Sequence, residues 1–412
     1  MQLTKNLELG KYFTFEPSKE KQIYNWFYYK EAFSPEIVEF ALNREAEAGR
    51  LKLAGNSATT LHHLPSTLYQ QFHPQPSTNY ILLDPFCGAG TSLLTAKSHK
   101  LQSIGIDASP LAVFVSKVKS DDYSEEDLKE CEEFLESISK LKEPTIEWQF
   151  ELFSARAAFP KSNFNAILAI REAIEEVQGT KVSNLLMLAL LSVLPQCSII
   201  IKDGGVLKID KRKSAMPVKD AFRRKVKRMI DDIRTNQIAG PLPRPQTGDA
   251  RQLPVAESSV DIIVTSPPYL NNIDYTKVYG LEMSLLFLDK GITSATRKES
   301  VRSFITQTSL EREMPPEVGE IGVRIPIIGT YFTDMEKVLM EIKRTLKPGA
   351  ACYFVVGNAV IHETHVLVDE VLAEMAERLG MEADIIVGLE RLADVKPRKI
   401  KTRESIIVMR KQ

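Results

Sequence analysis

The chain of 412 residues carries 53 Lys and Arg against 54 Asp and Glu, and its formal net charge of -1 excludes a wholesale basic coat, so any contact with nucleic acid would rest on local patches. Apolar residues make up 43% of it, enough to bury a substantial core in one large domain or two modest ones. Four scattered cysteines, Cys87, Cys131, Cys197 and Cys352, lack the close pairing of a zinc site, and they are expected to be small buried thiols in a reducing compartment. The first residues form no cleavable apolar segment and no apolar run reaches about 18 residues, so a cytoplasmic protein without a membrane partner is expected.

Between residues 12 and 33 lie nine aromatics, among them Tyr24, Trp26, Phe27, Tyr28 and Tyr29, a density suited to packing an N-terminal segment on a sheet. Pro35 suits the first turn of a helix through Leu42. Residues 44–77 lose strong periodicity; the denser patch from Leu68 to Phe72 reads as a connection or short helix. His62 and His63 are adjacent, so on a helix they would not face each other as a metal-binding pair.

Ile81, Leu82 and Leu83 form an apolar run suited to a strand buried on both faces, and the run ends in Asp84. Gly88 and Gly90 then allow a tight turn with close approach of a ligand to the backbone, and Thr91 and Ser92 open a helix whose first amides can receive polar ligand atoms. Asp107 follows about twenty residues on, at a second strand's end, where a carboxylate can take both hydroxyls of a ribose. No Lys follows the last glycine, which argues against ATP hydrolysis, and Leu93 breaks the GxGxxG spacing of a dinucleotide site. An adenosine-containing ligand fits better than either.

After Pro110 a helix is expected, with a boundary at Asp121 and Asp122, an amphipathic helix over 124–141 and two more over 164–177 and 182–193. The next core strand does not arrive until the segment before Gly248, Asp249 and Ala250, so most of 121–240 is an insertion. Between residues 202 and 234 there are twelve Lys or Arg and five Asp, which makes Arg212, Arg223, Arg224, Lys227 and Arg228 candidates for DNA-phosphate contact, against the plainer alternative of a solvated face. The divisions that follow are 1–120 with the cofactor motifs, 121–240 as a helical insertion and candidate DNA-recognition region, and 241–412 with a catalytic loop.

A strand over 259–264 stops at Thr265-Ser266-Pro267-Pro268-Tyr269. Two prolines remove two amide donors and fix both φ angles, leaving a rigid loop that offers the Ser266 hydroxyl, a carbonyl and an aromatic face, a set suited to a planar base with an exocyclic amine. Beyond it a helix is expected over 279–288, a long charged connection over 292–329, a helix over 335–346 and strands over 350–356, 384–388 and 404–409. Together with those near 81, 104, 246 and 262 they make an α/β fold with a seven-stranded, mostly parallel sheet whose last member is antiparallel.

DPFCGAGT, GIDASPLA, GDA and TSPPY jointly resemble the motif set of S-adenosylmethionine-dependent DNA amino-methyltransferases, and Ser266 is most similar to the cytosine-N4 branch. The resemblance covers 79–120 and 247–412, and residues 25–38 are similar to the family's N-terminal motif beside the methionine end of the cofactor. It implies a Rossmann-like fold, S-adenosyl-L-methionine held by Asp84, Phe86, Gly88, Gly90, Thr91, Asp107 and Asp249, and catalysis by Ser266, Pro267, Pro268 and Tyr269 without a metal. The implied substrate is cytosine N4 in double-stranded DNA, in a restriction-modification setting that allows a companion endonuclease. Adenine N6 is the runner-up, followed by RNA methylation and by noncatalytic DNA binding. The long insertion before GDA departs from the commonest placements of a target-recognition domain in that family.

Overall fold

A computed structural model describes residues 1–53, 80–203, 206–271, 273–303, 313–395 and 398–412. The patch from Leu68 to Phe72 and the His62 and His63 pair lie outside these described residues. In chain order the strands are β1 (Leu3–Lys5), β2 (Ile81–Asp84), β3 (Gln102–Asp107), β4 (Ile200–Asp203), β5 (Val206–Ile209), β6 (Arg244–Thr247), β7 (Val260–Thr265), β8 (Leu346–Gly357), β9 (Ala359–Ile361), β10 (Thr364–Val366), β11 (Met381–Val395) and β12 (Arg398–Lys411). Eight form one sheet in the order β1-β11-β12-β8-β7-β2-β3-β6, while β4 with β5 and β9 with β10 make separate antiparallel hairpins. Only β12 runs against its neighbours in the large sheet.

Seven of those eight strands are the ones expected from sequence. The correction is β1, which pairs in parallel with the edge of β11 from Leu3 opposite Ile385 to Lys5 opposite Val387. Three residues are too few to show a period, and β1 owes its form to the strand edge it completes. Both β11 and β12 are also longer than their apolar cores indicate, because they continue past β8 as a two-stranded ribbon.

Strand alternation sorts the core. Leu82, Ile262, Val264, Tyr353, Val355 and Ile406 pack with Ile37, Val38, Ala41 and Leu42 of helix α1 (Pro35–Glu47) and with Ala96 of α2 (Thr91–Ser98). Their neighbours Leu83, Ile263, Cys352, Phe354, Val356 and Ile407 turn to the other face. Helix α3 (Pro110–Ser120) starts with Pro at its first turn and the Ser109 hydroxyl accepting from the Ala112 amide.

The segment after α3 is built from α4 (Glu125–Ser137), α5 (Lys161–Glu175), α6 (Thr180–Cys197) and α7 (Val218–Asn236), with the β4–β5 hairpin between the last two. Ser124 and Asp127 close a reciprocal capping box at the start of α4. By length and composition α6 could cross a membrane, yet here it is enclosed by α3, α4, α5, α7 and α9 (Gly280–Phe287), the helix that follows the short α8 (Tyr275–Val278). All four cysteines are buried and unpaired.

Residues 292–329, expected as a long connection, instead carry α10 (Ile292–Glu299), α11 (Gly319–Arg324) and the start of α12 (Pro326–Thr345). The buried side of α10 is Thr293 and Thr296, and Thr293 and Ser294 donate to the Glu151 carboxylate, so this helix leaves no apolar period to read. Helix α13 (Val368–Arg378) joins α12 on the second face of the sheet through Leu372, Ala373, Met375 and Ala376.

Gly90 sits at φ +76°, and a Cβ there would lie 2.8 Å from the Ser116 hydroxyl and 3.0 Å from the Ser116 Cα. Gly90→Ala should therefore lower stability by about 2–4 kcal/mol, from the left-handed backbone and the clash together, read as a lower midpoint in thermal or urea unfolding. A midpoint equal to wild type would show that the turn relaxes freely.

Candidate active site

A cavity of about 390 Å³ opens at the carboxyl ends of the parallel strands, within the size range of sites for nucleoside-sized ligands. It is lined by Asp84, Phe86, Gly88, Thr91, Asp107 and Asp249 from the first set of motifs and by Ser266, Pro267, Pro268 and Tyr269 from the second. Residues far apart in sequence meet because β7 lies directly beside β2, with Leu82 opposite Ile262 and Leu83 opposite Ile263.

Asp84 is fully committed to the protein. Its Oδ1 accepts from the Phe86 amide at 3.1 Å and the Thr265 hydroxyl at 2.6 Å, and its Oδ2 accepts from the Ser92 hydroxyl. Burial pushes its pKa up to about 6 against those donors. These bonds hold the loops together at the wall of the cavity, which Asp84 also lines. Gly90 does not line the cavity; its left-handed backbone makes the turn, with Ser116 packed behind it.

Asp107 accepts from the Gly88 amide and the Ser109 amide, each at 2.8 Å, one on each oxygen. Each oxygen keeps acceptor capacity, which is what two ribose hydroxyls require. Burial raises its pKa to about 6, opposed by those two amides. Thr91, at the first turn of α2, has a buried hydroxyl without a partner among the described residues, a vacancy that a polar ligand group would fill. At Gly88, with φ +47°, a Cβ would stand 3.5 Å from the Tyr29 ring. The residues present fit an adenosine-bearing ligand.

Asp249 is less free than the sequence suggests. Its carboxylate pairs with the Arg251 guanidinium at 2.8 Å and takes the Arg251 amide at 2.9 Å, while Arg251 also reaches the buried Asp334 at 3.1 Å. A ligand at Asp249 would share this carboxylate with Arg251.

The N-terminal aromatics supply the wall that no single residue could be assigned from sequence. Tyr29 stacks on Tyr279 with ring centres 4.6 Å apart and planes 4° from parallel, the Tyr279 hydroxyl donates to Glu31 at 2.6 Å, and Lys202 sits 4.3 Å over the Tyr279 ring. Tyr29, Glu31, Tyr275 and Tyr279 all line the cavity. Tyr29 stood in a visible aromatic cluster, whereas Tyr275 and Tyr279 carried no signal apart from following the proline loop.

The basic candidates lie apart from this cavity, none of them among its lining residues. Helix α7 buries Val218, Phe222, Val226, Met229, Ile230 and Ile233 and leaves Arg224, Lys227 and Arg228 exposed, while Lys225 is partly buried. Arg212 is paired with Asp210 at 3.0 Å, and Arg224 lies against the Met216 sulfur at 2.6 Å. Lys227 and Arg228 are exposed and Arg223 half-exposed. Trp26 donates to Asp232 at 2.9 Å and Lys225 to the Asn25 carbonyl at 3.3 Å, so α7 packs on the same N-terminal segment that lines the cavity. Lys100, just before β3, bonds the Ala239 carbonyl, which ties the segment after α7 to the amino end of that strand.

No protein-family model matches the chain. Type II methyltransferase M.BsoBI of Geobacillus stearothermophilus is 24% identical over 450 aligned residues, covering 92% of this chain and 82% of its own. Type II methyltransferase M.AvaI of a Nostoc species is 26% identical over 428, covering 91% and 82%. Among solved structures, a SAM-dependent methyltransferase from Methanosarcina mazei covers 80% of this chain and 92% of its own at 12% identity, but its TM-score of 0.28 carries no weight. With methyltransferase relatives matching along more than nine-tenths of its length, and a nucleoside-sized cavity built by the very motifs that resemble that chemistry, the chain is an S-adenosylmethionine-dependent methyltransferase.

Proposed function

We propose that the chain methylates the exocyclic N4 amine of cytosine in double-stranded DNA at a specific sequence, as the modification enzyme of a restriction-modification pair. The observation that carries this reading is the position of Ser266-Pro267-Pro268-Tyr269 on the wall of the cavity that Asp107 and Thr91 also line. The relatives' description as type II methyltransferases supports the setting. A Ser at position 266 favours cytosine over adenine N6, the second reading.

S-adenosylmethionine supplies a methyl group made electrophilic by its sulfonium. Asp107 would hold the ribose hydroxyls, and the Thr91 hydroxyl with the first amides of α2 would take polar atoms of the methionine part. A base inside a duplex cannot reach that methyl, so it must leave the stack. Tyr269 would carry the extruded base on its ring face, while the Ser266 hydroxyl and the Pro267 carbonyl accept the amine's hydrogens and leave the nitrogen lone pair directed at the methyl. Holding the two reactants in this alignment removes much of the entropic barrier. The product amine sheds its extra proton to solvent. Arg212, Arg223, Arg224, Lys227 and Arg228 would position the backbone without reading bases.

The direct test incubates the protein with S-adenosylmethionine and unmodified genomic DNA and identifies the methylated base by nucleoside mass spectrometry; N6-methyladenine alone would move the assignment to adenine. In single-turnover transfer, Ser266→Ala should lose about 1–3 kcal/mol of transition-state stabilisation with cofactor affinity retained, and an unchanged rate would remove the hydroxyl from the mechanism.

Asp107→Ala should weaken S-adenosylmethionine binding by roughly tenfold or more in calorimetric titration. Because burial raises the Asp107 pKa from its usual value to about 6, ionisation costs the free protein stability as pH rises through that value, and the ribose acceptor is lost as pH falls through it. Wild-type affinity should therefore decline from pH 7 to pH 5, and Asp107→Asn should flatten that decline; parallel curves would place the titration elsewhere.

Charge reversal at Arg223 and Lys227 should weaken DNA binding across sequences and reduce the slope of log affinity against log salt by about one to two counterions. A wild-type slope would make that helix face a solvated surface.

A further inference from the structure

Glu404 occupies the point where β12 parts from β8. It is the last residue of β12 to pair with β8, opposite Gly357, and beyond it only the β11–β12 ribbon continues. Its side chain is 4% exposed and lines the cavity together with the proline loop. Arg391, across the ribbon and 57% exposed, holds one carboxyl oxygen at 2.9 Å. A buried carboxyl whose one ion pair is to an exposed arginine is an expensive way to fill space, and an apolar side chain of similar size would cost less.

Gly357 brings this group to the catalytic loop. A Cβ on it would lie 3.0 Å from Tyr269 Cε2 and 3.4 Å from Glu404 Cγ, so the Tyr269 ring and the stem of Glu404 lie side by side over the bare glycine. Burial drives the Tyr269 phenol well above its usual pKa, with the Glu404 charge adding to that rise and Ser266 opposing it, which again places the three together. Resting on the assignment of Ser266 to Tyr269 as the base site, we infer that Glu404 is a specificity-determining residue that donates a hydrogen bond to the ring nitrogen next to the methyl-accepting amine.

The chemistry of the base edge supports a donor here. Cytosine N3 and adenine N1, each beside an exocyclic amine, are acceptors. Thymine N3 and guanine N1 carry a hydrogen, and a protein donor would oppose them. In that assignment the Ser266 oxygen and the Pro267 carbonyl accept from the amine, and the carbonyl has no hydrogen to offer the neighbouring ring nitrogen. A carboxyl can donate only when protonated; burial raises the Glu404 pKa in that direction and the Arg391 charge opposes it.

The test uses single-turnover transfer to a duplex with one mapped target. Glu404→Leu should lose roughly 10- to 100-fold in rate with S-adenosylmethionine affinity unchanged, while Glu404→Gln, which keeps an N–H donor, should stay within about threefold of wild type. Replacing the target by 3-deazacytosine, or 1-deazaadenine if adenine proves the acceptor, removes the ring nitrogen. That substrate should slow the wild type by a similar factor and leave Glu404→Leu no slower than it already is. Equal wild-type rates on the normal and deaza bases overturn the inference, and so do additive losses or a Glu404→Gln rate as low as that of Glu404→Leu. Should Glu404→Leu fail to fold, the wild-type comparison of the two bases decides alone. A wild type that methylates no base in DNA would instead overturn the proposed function, an outcome visible before any variant is measured.

Discussion

The site depends on a single buried carboxylate. Asp84 receives hydrogen bonds from the Phe86 amide at the entry to the glycine turn, from Ser92 in the first turn of α2 and from Thr265, the residue before the proline loop. Three segments that close separate strands and helices are thereby fixed against one another within a few ångströms. A carboxylate pushed up to about 6 by burial is kept useful only by this set of donors.

Much of this was legible in the sequence, for reasons that differ by element. The apolar runs at Ile81 to Leu83 and Ile262 to Val264 announce buried strands because parallel sheets are covered on both faces. Gly88, Asp107 and Ser266 could be picked out because each residue type is tied to a backbone or hydrogen-bonding need. The eighth strand could not, since β1 has only three residues and is defined by its partner. Helix α10 was hidden by its buried threonines. Asp249 lines the cavity as the sequence suggests, while its pairing with Arg251 two residues on is a feature of the folded turn that the spacing does not announce. Glu404 gave no signal at all, as its meaning comes from the bare backbone of Gly357 across the strand pair.

The aromatic N-terminal segment joins the two halves of the molecule's work. One part of it, Tyr29 with Tyr279, walls the cavity, and another, Trp26 with Asp232, is bolted to the basic helix α7. Near-neutral overall charge leaves no general positive field over the surface, so attraction of any polyanion would rest on local basic patches.

The position of the insertion has a consequence for synthesis. β3 ends at Asp107, but the strand that covers its edge, β6, begins only at Arg244, and the other neighbour of β2, β7, comes later still. At ordinary translation rates the β2–β3 pair waits on the order of ten seconds with both edges unpaired. The intervening helices, whose contacts are largely with one another, can collapse during that interval and lay α6 against α3 before the sheet is complete. The nascent chain thus carries its own cover for the strands that will hold the cofactor.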